Sequence, residues 1–203
     1  MRIITISREF GSGGRELGKR LAEKLCFAYY DAEIIAAIAT KSGLAESYVQ
    51  EIVEQRHINY YPITYGKTLH SANLMDTNYL KVVQAQTEVI RELAEKRDCV
   101  FVGRCADVIL KSHNPLNIFV HASMDFKVAR CQLKAPVGED YSERELQHKI
   151  KKVEKRRSKY YHLFSTEKWG NKENYHLCIN TTGKEIKRLV PSLAEYCLDF
   201  WDN

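Results

Sequence analysis

The chain has 203 residues, enough for one large domain with a sizeable core that needs neither disulfides nor a structural metal. Apolar residues make up 44% and charged residues 28%, with 10 Gly and 4 Pro, which excludes collagen-like, low-complexity and wholly disordered classes. The net charge of +5, from 31 Lys and Arg against 26 Asp and Glu, is small, so its placement matters more than its sum.

Ile3, Ile4, Thr5 and Ile6 form a β-branched run that stops at Ser7-Arg8-Glu9-Phe10-Gly11-Ser12-Gly13-Gly14, a buried strand followed by a glycine-rich turn. Leu17, Leu21 and Leu25 then recur at helical spacing with Lys19, Arg20, Glu23 and Lys24 on the other face, which predicts an amphipathic helix. Residues 27–30 read as a second strand ending at Asp31. From 32 to about 97 the period is helical, with breaks at Ser42-Gly43 and over 60–66, giving three helices and an irregular aromatic excursion; the last helix is expected from about Asn78 to Lys96. Residues 99–102 are a third strand running into Gly103-Arg104. A short helix over 106–110, a fourth strand over 117–120 and a helix capped by Ser123 follow. Ser142-Glu143-Arg144-Glu145 is a capping box opening a long charged helix. A fifth strand over 177–180 and a closing helix over 185–200 containing Pro191 complete the chain.

Strands alternating with helices predict an α/β fold: a mostly parallel five-stranded sheet in a three-layer α/β/α arrangement. Ligands of such sheets bind beyond the carboxyl ends of the strands, which marks the turn over 7–14, Asp31, Gly103-Arg104 and the Ser123 region as site walls. The six cysteines contain no C-x-x-C pair, and Cys26, Cys99 and Cys178 sit among apolar neighbours, as small core residues do. The histidines show no metal-binding pattern. The opening apolar run is too short for a signal peptide and no segment approaches a membrane span, so a cytoplasmic protein without a membrane partner is expected.

Gly11, Gly13 and Gly14 lie between a strand and a helix start. Bare glycines let backbone approach a ligand closely, and amides at a helix N-terminus point at anions, so phosphate is the expected guest. A dinucleotide fingerprint G-x-G-x-x-G would use Gly11 and Gly13 but meets Glu16 at its third glycine, with Asp31 as the ribose-binding acid. A P-loop, G-x-x-x-x-G-K-[ST], aligned on the same strand puts Arg8 at the first glycine, Gly13 at the second, Gly14 at the lysine and Arg15 at the hydroxyl. Arg15 or Arg8, both on the loop, are the candidates to replace the lysine's charge.

The residues Ile4-Thr5-Ile6-Ser7-Arg8-Glu9-Phe10-Gly11-Ser12-Gly13-Gly14-Arg15-Glu16, Tyr29-Tyr30-Asp31, Val100-Phe101-Val102-Gly103-Arg104-Cys105-Ala106-Asp107, and Tyr160-Tyr161 with Trp169-Gly170 and Tyr175, resemble the cytidylate-kinase-like family. That family is a divergent branch of the P-loop nucleoside monophosphate kinases, and the resemblance spans nearly the whole chain. It implies a P-loop NTPase-type fold and ATP-dependent phosphoryl transfer to CMP or dCMP. The Asp-Ser-Gly segment and arginine that hold CMP in true cytidylate kinases are absent after Asp31, where the chain reads Ala32-Glu33-Ile34. Another nucleotide or a small phosphorylated metabolite is therefore an equally open acceptor.

Between 144 and 160, eight cationic side chains face Glu145 and Glu154, so this segment carries +6 and the remainder of the chain about −1. A charge run is commonly a solvated helix face. The resemblance implies instead a basic lid over 135–170, with 32–97 a helical acceptor-side insertion in a single domain over 1–203. Phosphoryl transfer asks the protein chiefly for positioning and for cations on the equatorial oxygens. Arg156 and Arg157 are the catalytic candidates on the lid, with Arg15 on the loop. Arg8, Gly11, Ser12, Gly13, Gly14, Arg15 and Glu16 are the ATP-binding candidates. Asp31, Arg104 and Asp107 are the acceptor candidates, and Asp31 is also the candidate ligand for magnesium, ahead of Ser12 and Glu16. Two other readings stand beside the kinase. One is a non-catalytic nucleotide- or nucleic-acid-binding module that stacks bases on Tyr160, Tyr161, His162 and Phe164, although the confinement of the basic surplus to one helix makes nucleic acid the less favoured partner. The other is a dehydrogenase-like dinucleotide site.

Overall fold

A computed structural model describes residues 1–54, 69–135 and 141–202, the side chains of 69–76 excepted. The aromatic excursion over 60–65 lies outside the described residues. Five strands form one all-parallel sheet: β1 (Ile3–Arg8), β2 (Ala28–Tyr30), β3 (Cys99–Val102), β4 (Leu116–His121) and β5 (Leu177–Asn180), in the order β2-β3-β1-β4-β5. The helices are α1 (Gly14–Leu25), α2 (Ile34–Ser42), α3 (Glu46–Glu54), α4 (Leu69–Ala94), α5 (Ala106–Ile109), α6 (Met124–Leu133), α7 (Glu143–Tyr161) and α8 (Ile186–Asp202).

Parallel strands are covered on both faces, and successive side chains of a strand point to opposite faces. Ile4 and Ile6 accordingly join Val100, Val102, Ile118 and Val120 against Leu17 and Leu21 of α1 and Leu193 of α8. Ile3 and Phe101 face the other way, onto Ile38, Val49 and Ile90 of α2, α3 and α4. The first connection, α1, thus lies on one face, while α5, which joins β3 to β4, lies on the other. Such a change of side beside a central strand opens a crevice at the strands' carboxyl ends.

Helix α7 carries the basic segment. Its capping box forms: Ser142 Oγ accepts from the Glu145 amide at 3.3 Å and Glu145 Oε2 accepts from the Ser142 amide at 2.9 Å. Leu146 and Ile150 pack with Val128 of α6, and Tyr160 and Tyr161 enter the core beneath α2–α5. Both ends of the helix are therefore tied into the fold.

The structure amends several expectations. Cys26 and Cys178 are exposed, and of the three cysteines expected inside only Cys99 is buried. Cys26 closes α1 in a left-handed conformation (φ 57°), and Cys178 sits on the uncovered face of the edge strand β5. Ser123 occupies the N-cap position of α6 but makes no capping hydrogen bond; its amide donates to Thr182 Oγ1 at 2.8 Å. Helix α4 begins nine residues before the expected Asn78, at Leu69. No described helix is long and apolar enough to cross a membrane.

Candidate functional site: an arginine cluster beside the glycine turn

The turn between β1 and α1 is folded tightly on itself. Ser12 Oγ donates to Glu9 O at 2.9 Å, and Gly13 (φ 83°) forms the N-cap of α1, whose first amides have no acceptor within the helix. The three glycines have structural reasons of their own. A Cβ on Gly11 would lie 2.9 Å from Lys127 O, and one on Gly13 would lie 2.7 Å from Ile186 Cδ1. One on Gly14 would lie 2.5 Å from Arg8 Cβ. Close packing of α6, α8 and β1 around the turn thus accounts for the glycine spacing, and the side chains around the turn must carry the argument for an anion.

Four of them do. Arg8 ends β1 and Asp31 follows β2; their closest atoms are 3.8 Å apart. Arg15 Nε pairs with Asp31 Oδ2 at 2.6 Å from the first turn of α1. Arg157 Nη1 donates to Arg8 O at 2.8 Å from α7. Arg104 follows β3 with φ 59°, is buried, and approaches Glu54 Oε1 at 3.8 Å. These guanidiniums sense one another electrostatically. Burial first, and then Arg157, hold the Arg8 pKa well below the usual arginine value; burial and then Arg15 bring Arg157 down to about 10. Clustered cations that depress one another's proton affinity lack sufficient negative charge among themselves, which suits the arrival of an anion. Two polar atoms in the cluster, Asp31 Oδ1 and Arg104 Nε, are buried with no hydrogen-bond partner among the described residues.

Two cations that the motif search did not single out organise the turn. Lys127 of α6 is 4% exposed and its ammonium bridges Glu9 Oε2 at 3.0 Å and Glu154 Oε1 at 2.8 Å, which links the turn to α7. Arg130, one helical turn on, donates to Ser12 O at 3.0 Å, Thr181 Oγ1 at 2.9 Å and Thr181 O at 2.8 Å. It thereby clamps the turn to the β5–α8 connection. The signal available in the sequence was a pair of cations at i and i+3 on the helix leaving a strand's carboxyl end. Beside Arg130 opens a cleft of about 310 Å³ lined by Leu133, Lys134, Ile186 and Lys187, with Glu16 at its edge.

A buried row of polar groups approaches from the other side: Ser7, Tyr175, Tyr161 and the Asp107 carboxylate lie close enough in turn to influence the protonation of the two tyrosines and of Asp107. Burial raises the Asp107 pKa to about 6 despite the Tyr161 hydrogen bond, and Asp107 Oδ2 has no partner among the described residues. Gln86 of α4 donates to Arg104 O at 3.0 Å and accepts from Tyr160 OH at 2.8 Å, which fixes the backbone that presents Arg104.

Of the candidates named from sequence, Arg8, Arg15, Asp31, Arg104 and Arg157 are brought together here. Arg156 is half-buried beside Arg157 and, like the exposed Lys151, Lys152, Lys155 and Lys159, makes no ion pair among the described residues. Most of the basic helix thus faces solvent, and a single arginine of it reaches the cluster. Ser12 is fully buried with its hydroxyl committed to Glu9 O, and Glu16 pairs with Arg20 at 2.9 Å and Lys134 at 3.6 Å. No group of three or more His, Cys, Asp or Glu side chains able to hold a metal exists among the described residues.

The same architecture occurs in known proteins. An uncharacterized protein from Eubacterium ventriosum ATCC 27560 is 25% identical and superposes with a TM-score of 0.67 over 97% of this chain and 98% of that one. A shikimate kinase from Bacteroides thetaiotaomicron is 14% identical, with a TM-score of 0.55 over 100% and 99% of the two chains. A gluconokinase from Sinorhizobium meliloti 1021 is also 14% identical, with a TM-score of 0.55 over 100% and 94%. These last two likenesses show that the fold, an α/β arrangement on a five-stranded parallel sheet, is shared with those kinases. No curated protein matches the sequence. The family model that does match covers residues 3–183, and on that match the chain belongs to the cytidylate kinase-like family.

Proposed function

We propose that the protein is an ATP-dependent phosphotransferase acting on a nucleoside monophosphate, cytidylate by default, or on a related small phosphorylated metabolite. The observation that carries this reading is the convergence of Arg8, Arg15, Arg104 and Arg157 beside the glycine turn: Arg8 and Arg15 pair with the buried Asp31, Arg157 bonds the Arg8 carbonyl, and Arg104 and Arg157 both act on the Arg8 guanidinium. In this reading the triphosphate lies on the amides of Gly11, Ser12, Gly13 and Gly14, and the base occupies the cleft beside Arg130 and Ile186. Arg157, with Arg156 on the same turn of α7, neutralises the phosphoryl group in transit, which is where electrostatic stabilisation lowers the barrier. Arg104 holds the acceptor's own phosphate through its unpartnered Nε, and Asp107 borders the same subsite.

Magnesium enters with ATP as part of the substrate. The candidate side chain for it is the Asp31 carboxylate, whose Oδ1 accepts no hydrogen bond among the described residues, with phosphate oxygens and water as the remaining ligands. Helices α2–α4 form the acceptor side and α7 the lid of a single domain, working in the cytoplasm.

The test is ADP release by a coupled assay across acceptors, with CMP and dCMP first, then other nucleoside monophosphates and phosphorylated metabolites. Turnover that needs both ATP and one acceptor class supports the reading. Tight ATP binding with no ADP released on any acceptor refutes it in favour of a nucleotide sensor. Oligonucleotide binding that is steep in salt and indifferent to ATP would assign the basic helix to nucleic acid instead.

A further inference from the structure

In the P-loop pattern the lysine stands on the helix side of the turn, at the position held here by Gly14, and a glycine stands at the end of the strand, where this chain has Arg8. In the structure the two positions meet. Gly14 opens α1 directly beneath the stem of Arg8: a Cβ at residue 14 would lie 2.5 Å from Arg8 Cβ, 3.0 Å from Arg8 Cγ and 3.3 Å from Val120 Cβ. No side chain can begin there while Arg8 is in place. The far end of the same side chain crosses Gly103, where a Cβ would overlap Arg8 Nη1 and lie 2.7 Å from Cζ. Arg8 therefore runs through a channel kept open by two bare positions, one on α1 and one after β3.

Its head is poorly occupied. The Arg8 guanidinium has no hydrogen-bond acceptor among the described residues, and its ion pair with Asp31 is a loose 3.8 Å. Arg15 differs on each point: its side chain is 66% exposed and its Nε is committed to Asp31 at 2.6 Å. A guanidinium whose stem is held at the N-terminus of α1 and whose N–H groups are unspent suits a di- or triphosphate, whose oxygens match the planar fork.

We infer that Arg8 supplies, from the end of β1, the loop cation that a P-loop carries as lysine on the first turn of its helix, so that cation and glycine have exchanged places across the turn. The inference rests on the ATP-binding reading above and names which residue grips the β- and γ-phosphates. It also gives Gly14 a reason that phosphate binding by amides alone does not supply, and adds one at Gly103 to that residue's positive φ of 76°.

The exchange can be reversed experimentally. ATP affinity is measured by calorimetry, with folding checked by circular dichroism, for the wild type, Arg8→Gly, Arg8→Met, Gly14→Lys and the double variant Arg8→Gly/Gly14→Lys. Arg8→Gly and Arg8→Met should each weaken ATP binding by roughly 10- to 100-fold, as loss of charge-assisted phosphate contacts does. Gly14→Lys alone should lower thermal stability through its clash with Arg8. The double variant, with the stem removed and the lysine restored, should recover ATP affinity to within a few-fold of wild type. Arg8→Met retains the stem, so it reports on charge if Arg8→Gly fails to fold. Unchanged ATP affinity in folded Arg8→Met, or a folded double variant no better than Arg8→Gly, overturns the exchange and leaves the kinase reading intact. A wild-type chain that binds no ATP overturns both.

Discussion

Lys127 gives the most demanding test of how the turn is held. Its ammonium lies between Glu9 on the turn and Glu154 on α7, and the side chain is 5% exposed while its partners are 25% and 18% exposed. Replacing it by methionine keeps most of the apolar stem and deletes the charge, leaving two carboxylates facing one another. Removing one partner of a fully buried ion pair costs about 3–5 kcal/mol. The partial exposure of both carboxylates lets water take up some of that loss, so roughly 2–3 kcal/mol is expected for Lys127→Met. In a domain of this size that lowers the melting temperature by about 5–10 °C. Burial disfavours the charged lysine, but its hydrogen bonds to Glu154 and Glu9 outweigh it and raise its pKa. Its contribution is therefore complete below the unfolded lysine value of about 10.4 and fades as pH rises through the higher folded value. Urea denaturation of both proteins at pH 7, repeated at alkaline pH, reads out both effects. Adding Glu154→Gln to Lys127→Met should also recover part of the lost stability by removing one uncompensated carboxylate. A penalty below about 0.5 kcal/mol at pH 7 would refute the bridge as a stabilising contact. So would a penalty that persists undiminished in alkali.

Other expectations follow from contacts of equal definition. Asp107 carries a folded pKa of about 6, above its ordinary value, so the folded state holds the proton longer than the unfolded one and stability falls as pH rises from about 4 to 6. In Asp107→Asn that fall should shrink by about 3 kcal/mol, measured by denaturation across this range; an unchanged pH profile would show that Asp107 is not its source. Arg130→Ala removes donors to Ser12 O, Thr181 Oγ1 and Thr181 O, and should cost about 2–3 kcal/mol together with weaker ATP binding by calorimetry. Tyr160→Phe strands Gln86 Oε1 in the core and should cost about 1–3 kcal/mol in urea titrations, with a larger loss of acceptor than of ATP affinity because Gln86 presents Arg104. Ser142→Ala should lower stability by about 1 kcal/mol through loss of the capping box, without touching ATP affinity.

What the sequence determined by itself was the order of elements and the end of the sheet at which chemistry would occur. The β-branched run Ile3–Ile6, the Leu17–Leu21–Leu25 stripe and the Ser142 capping box are local signals, each set by side chains within a few residues of one another, and the structure returns all three. The parallel sheet follows from alternation, and with it the place of Asp31, Arg104 and the glycine turn at the strands' carboxyl ends. The tertiary structure decided what the inner face of α7 meets. Leu146, Ile150, Val153, Arg157 and Tyr160 share one face by helical spacing, and the packing of Leu146 and Ile150 with α6 and of Tyr160 in the core fixes where that face delivers Arg157. It also decided why the turn is rich in glycine. Lys127 O, Ile186 and Arg8 approach it from three elements distant or opposite in sequence, and such contacts leave no trace in local spacing. The +5 of the whole chain is thus a poor guide to the site. What matters there is four arginines, from β1, α1, α7 and the end of β3, that only the fold brings together: Arg8 and Arg15 pair with the buried Asp31, Arg157 bonds the backbone of Arg8, and Arg104 acts on Arg8 electrostatically.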